Sequence, residues 1–145
     1  MKMKTEISGI DALEKNFARL SKKYGENVAK ATVTGAQLVR TSAVKSIQSV
    51  SSGDTVTRYR NGGGSYSHTA SKPGDAPNTD TGALAKSVQV DVRREGVYVG
   101  SSLKYAPMLE FGTSSMRERP WLNPALESNR RKIQALIANA VKGTK

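Results

Sequence analysis

The sequence predicts one α+β domain over residues 1–145: N-terminal helices, a protruding β-hairpin arm, an antiparallel β-sheet and a C-terminal helix. Three observations carry this. Apolar residues recur every three or four positions near both ends of the chain, they alternate with period two over 87–100, and a polar stretch rich in turn formers separates the two patterns.

The helical region covers residues 5–48. Ile10, Leu13, Phe17, Leu20 and Tyr24 are spaced 3, 4, 3 and 4, which puts all five on one helix face, and Ser8 is the predicted N-cap. After Gly25 the stripe resumes with Val28, Ala31, Gly35, Leu38 and Ser42, so the region is either one helix or a pair of helices. Its second part would be about 36 Å long. Small residues on its face (Ala31, Gly35, Ala36, Ser42, Ala43) would let another helix or a sheet approach closely.

Residues 51–80 differ in kind. Gly, Ser, Thr, Pro, Asn and Asp supply 21 of these 30 residues, too little apolar material to offset the entropy of ordering the segment alone. Within it, Val56 to Arg60 and Tyr66 to Ala70 flank the turn signal Asn61-Gly62-Gly63-Gly64, which predicts a hairpin or extended arm. Arg58, Tyr59, Arg60 and Tyr66 give it a basic and aromatic tip, and a loop this long is expected either to dock on a partner or to be mobile without one. Over 84–113 a second hairpin, with Ser87 to Val92 and Val97 to Gly100 as its strands, runs into an irregular connection. Asn123 followed by Pro124 then predicts an N-cap and first helical position, opening a helix over 123–142.

Composition limits the chemistry. With no Cys and one His there is no disulfide framework, thiolate metal site or cysteine nucleophile, and the twelve acidic residues form no pair at catalytic or metal-ligand spacing. The glycine run lacks the Gly-Lys of a phosphate loop. Ser67 and His68 are adjacent, so on a strand they point to opposite faces and make a poor nucleophile and base. The expectation is no enzyme, no catalytic residue, no cofactor and no metal. The opening residues have no apolar signal-peptide core and no run is long enough to span a bilayer, so the chain is expected to stay in the cytoplasm, without a membrane partner.

The net charge of +11 raises a nucleic-acid alternative. Its distribution argues against one: residues 1–50 carry +5, residues 51–80 carry zero and residues 81–145 carry +6, and no DNA-binding helix motif appears. The densest basic cluster, Arg130, Arg131 and Lys132, is a possible DNA-facing patch within the C-terminal helix. A small basic nucleic-acid-binding protein is the competing class.

The most specific signal is an ordered series. It runs Pro73, Gly74 and Pro77, then Thr81, Gly82 and Leu84, then the hairpin, then Tyr105-Ala106, Glu110 with Gly112-Thr113, and Pro120-Trp121 before Pro124. In this order the chain, over about residues 5–142, resembles the small tail-completion or head-to-tail joining proteins of long-tailed double-stranded DNA phages and prophages, the minor tail component family of lambdoid siphophages. The resemblance implies a structural virion protein of the tail neck. It implies a homo-oligomeric ring, a hexamer, in contact with adjacent neck, tail-terminator or tail-tube proteins, through which genomic DNA can pass. Residues 51–72 are longer than such a module needs.

Several residues in the series also have a physical reading. Gly82 and Gly112 are expected in conformations costly for other residues, with Thr81 or Asp80 capping the segment after Gly82. Glu110, between Leu109 and Phe111, is either a solvent-facing carboxylate on an alternating strand or a partly buried one held by an Arg or by backbone N–H groups, and the second is favoured. Trp121 is expected in the core.

Overall fold

A computed structural model describes residues 10–49, 51 and 53–143, with side chains from residue 15 onward. The predicted cap at Ser8 and helical residues 5–9 lie outside the described residues. In chain order the elements are α1 (Ile10–Gln48), β1 (Thr55–Tyr59), β2 (Ser65–Thr69), α2 (Ala83–Ser87), β3 (Val88–Arg93), β4 (Gly96–Ser101), α3 (Ala106–Phe111) and α4 (Asn123–Lys142). The fold is α+β, as the periodicities predict.

The N-terminal region is one helix of 39 residues and not a pair. Gly25 costs an exposed helix about 1 kcal/mol relative to Ala, too little to end it without a proline or a cap beside it. At 1.5 Å per residue α1 is roughly 58 Å long, far longer than anything else in the chain. Its second half carries the fold. The small residues allow the close approach expected of them: Gly35 faces Ile133 of α4, whose Cγ1 would lie 3.1 Å from an added Cβ. Near the other end of this contact, the Asn129 side chain, 4% exposed, donates to Ser42 Oγ at 2.8 Å.

The core forms where α1 meets the middle of the chain. Val39, Ala43 and Ile47 of α1 pack with Leu84 and Ala85 of α2, Val88 of β3, Ala106 of α3, Trp121, and Ala125 of α4. Two antiparallel hairpins make separate two-stranded sheets. In β3 and β4 the register pairs Val90 with Val99 and Val92 with Val97, and this sheet rests on α1, where Arg40 Nε donates to Val88 O at 2.9 Å. In β1 and β2 the register runs from Thr55 opposite Thr69 to Tyr59 opposite Ser65. The turn between them takes Gly62, Gly63 and Gly64 through positive φ values of 109°, 97° and 87°, the left-handed region that favours glycine.

Two local readings are corrected. The connection after β4 is not irregular throughout, because residues 106–111 form α3; Glu110 therefore sits on a helix and not on an alternating strand. Asn123 does not cap α4. Leu122 occupies the N-cap position with helical backbone and no side-chain bond, while Pro124 lies in the first turn.

Candidate functional site

The ordered motif residues converge on the root of the arm. Pro77 is buried, Leu84 and Ala106 are core, and Trp121 is 3% exposed. The Thr81 hydroxyl accepts from Ala83 N at 3.3 Å, a local turn before the short helix, whose N-cap is Gly82 and carries no side-chain cap from either Thr81 or Asp80. Gly74 N donates to Glu118 O at 2.9 Å, and Arg119 Nε donates to Ser71 O at 3.2 Å, which ties the lead-in at 71–74 to the run before Trp121. Thr113 closes a turn with Met116, donating its N–H to Met116 O at 2.8 Å. Pro73, Tyr105 and Pro124 remain exposed on this rim, and Pro120 is half-buried.

Glu110 organises the junction. It is 8% exposed, and its carboxylate accepts backbone N–H groups from Trp121 at 2.8 Å, Leu122 at 2.9 Å and Asn123 at 2.8 Å. Asn123 and Leu122 are the first helical and N-cap positions of α4 and Trp121 directly precedes them, so a negative group there also meets the positive end of the helix dipole. The cap that Asn123 fails to supply thus comes from a residue 13 positions earlier. Gly112 makes that approach possible: with φ 74° and ψ −177°, it passes so near the returning chain that a Cβ would lie 2.8 Å from Met116 O.

Above this junction stands the arm. Asn78 holds its base, accepting from Ser51 N at 2.8 Å and donating to Ser51 O at 3.0 Å and Thr69 O at 2.8 Å. Asp80 holds its face: Tyr66 Oη donates to it at 2.7 Å, Arg58 Nε lies 3.7 Å away, and His68 Nδ1 lies 3.8 Å away. The Arg60 guanidinium lies over the Tyr66 ring at 5.3 Å, and Tyr59 is 82% exposed. Aside from these side-chain ties, the arm packs extensively on no other helix or strand. Asp80, named from the sequence only as an alternative to Thr81 for the turn at Gly82, instead holds the arm; its contact crosses 14 positions, and no periodicity reports that.

Between the arm and the body lies a cleft of about 570 Å³ lined by Arg58, His68, Asp80, Tyr105, Leu109 and Arg119. Ser67 does not line it: Ser67 is exposed, His68 is half-buried toward Asp80, and the two point apart. Among the described residues no group of three His, Asp or Glu side chains could hold a metal ion. Arg130, Arg131 and Lys132 follow one another on α4, so they fan around the helix and do not form one face, and Arg130 is paired with Glu127.

The matching family model is described as "Bacteriophage HK97-gp10, putative tail-component" and covers residues 11–112. The chain belongs to the HK97-gp10-like family. No curated protein and no solved structure matches it. The HK97-gp10-like stretch takes in α1, the arm, the β3–β4 hairpin and α3 through Gly112, so Glu110 falls inside it and the amides that Glu110 caps fall beyond it. Family membership makes the chain a phage tail component, a role filled by binding other virion proteins and not by catalysis. No helix among the described residues is long and apolar enough to cross a membrane.

Proposed function

We propose that this HK97-gp10-like chain is a tail-completion subunit of the virion neck. It assembles as a homo-oligomeric ring, a hexamer, on the head-proximal end of the tail, and there joins tail to capsid against neighbouring neck and tail-tube proteins. Closed rings use heterologous contacts, in which one patch meets a different patch on the next copy. The observation that carries the reading is the arm: a polar hairpin, exposed along β1, that packs extensively on no other described helix or strand and carries Arg58, Tyr59 and Arg60 near its tip. Such a ribbon is marginal alone and gains most by adding strands to a neighbour's sheet edge. DNA would pass through the ring, which would multiply the +11 charge of each subunit into a strong field on its axis.

Deleting residues 55–70 tests the proposal. Loss of ring and virion assembly by a subunit that still folds supports it, whereas normal assembly overturns the role given to the arm. DNA affinity of the free subunit that falls steeply and log-linearly with salt would favour a nucleic-acid-binding protein instead.

A further inference from the structure

The amphipathic face of α1 is longer than the helix that covers it. From Ser42 back through Gly35 to Ala31 the stripe lies against α4, and α4 stops at Gly143, which sits against the Tyr24 ring and takes a left-handed φ of 64° that ends the helix. The same face continues past that point through Leu20 and Phe17, which are 43% and 72% exposed. Between Tyr24 and Ile10 the overhang runs about 21 Å. By helical spacing Lys15, Arg19 and Lys22 project from the opposite side, so covering the stripe need not desolvate them.

A second uncovered apolar face lies on the body. Tyr105, Met108 and Phe111 are spaced by three on and just before α3 and are 43%, 52% and 80% exposed, while Ala106 and Glu110 turn inward. One subunit thus carries a projecting apolar rod and a separate apolar seat. We infer that the α1 overhang, through Phe17, Leu20 and Tyr24, docks on the Tyr105, Met108 and Phe111 face of the next copy. The contact rests on the ring reading for its head-to-tail sense, since an isologous pairing of two overhangs would stop at a dimer and leave α3 open.

Area supports a second copy as the occupant. Taking about 200 Å² for an aromatic side chain, the six residues leave on the order of 600 Å² in water, a little over a third of a standard interface of about 1,600 Å². One such contact is weak, and it becomes stable when a closed ring forms all of them together. Copies of charge +11 repel one another at long range, and salt screens that repulsion, so salt should strengthen the association.

The absence of Cys makes the test clean. Full-length Leu20→Cys and Met108→Cys variants are oxidised separately and as a mixture, at the highest soluble concentration and in high salt. The inference expects a disulfide dimer in the mixture at roughly tenfold the yield of either variant alone, corresponding to about 1.4 kcal/mol of preference. It also expects a ladder of linked subunits from the double variant. Equal linking within Leu20→Cys alone shows the isologous seam and overturns it, as does the absence of any heterotypic dimer. A ladder that runs on as an open polymer leaves the contact standing and removes the ring. Closed rings without the heterotypic disulfide keep the ring and remove the contact.

Discussion

Replacing Glu110 with Ala should loosen the start of α4 and, through Trp121, the core. The carboxylate accepts three backbone N–H groups, one buried and two partly buried. A hydrogen bond to a charged group contributes about 1.5–3 kcal/mol, and a buried donor left unsatisfied costs about 1–3 kcal/mol. Water can reach the Leu122 and Asn123 amides once the side chain is gone, so the three do not add; the expected loss is about 3–4 kcal/mol. Glu110→Gln keeps one acceptor oxygen but turns an amide toward the remaining donors and removes the charge that meets the helix dipole, for about 1–2 kcal/mol. In urea the midpoint should fall with an unchanged slope, in the order wild type, Gln, Ala. Hydrogen exchange at the amides of Trp121, Leu122 and Asn123 should rise more than in β3 and β4. A Glu110→Ala variant within about 1 kcal/mol of wild type, or one whose three amides stay as protected as before, would refute the capping argument.

Other consequences attach to single positions. Gly25→Ala, at an exposed mid-helix site with nothing within 4 Å of the added Cβ, should stabilise the protein by about 0.5–1 kcal/mol, read as a higher midpoint in thermal unfolding. Gly112→Ala should cost about 2–4 kcal/mol, because φ 74° with ψ −177° is nearly closed to other residues and the Cβ meets backbone at 2.8 Å; a change below about 1 kcal/mol would contradict that geometry. The hydrogen bond to Asp80 holds the Tyr66 phenol above its ordinary pKa of 10.0. A tyrosine raised in the folded state contributes stability that is complete below the unfolded value and is lost as pH rises through the folded one. The absorbance titration of wild type minus Tyr66→Phe should therefore show a native phenol titrating above 10.0, falling in Asp80→Asn; a native value at or below 10.0 would contradict the contact.

Much of the fold was legible because it rests on local periodicity. The stripe from Val28 to Ser42 shows the face that α4 covers, the alternation after Ser87 shows the β3–β4 hairpin, and the glycine run shows the turn of the arm. Where local signals were weak the reading stayed open or slipped. Gly25 looks like a break, yet one glycine among good helix formers leaves α1 continuous. Asn123 before Pro124 looks like a cap, yet α4 starts one residue earlier than that reading needs, with Leu122 at the N-cap position and its N–H and that of Asn123 held by Glu110. Of the candidate site, the arm residues and the motif order were visible, but the Asp80 tie was not, since it joins positions 14 apart through side chains alone.

By itself the sequence determined the class of the protein: an α+β chain without cysteine or a catalytic constellation, with an arm too polar to fold alone and a motif order that resembles phage tail components. Those properties arise from composition and from spacing within each element, where the backbone's own repeats decide which side chains share a face. Only the tertiary structure decided what each polar residue of the motif is for, and where the apolar surface runs out. Glu110 caps a helix from another element, Asp80 holds the arm, and Phe17, Leu20, Tyr105, Met108 and Phe111 remain in water. The reason is that capping and burial depend on which segments meet in space, and two residues 11 or 14 positions apart carry no local mark of their meeting.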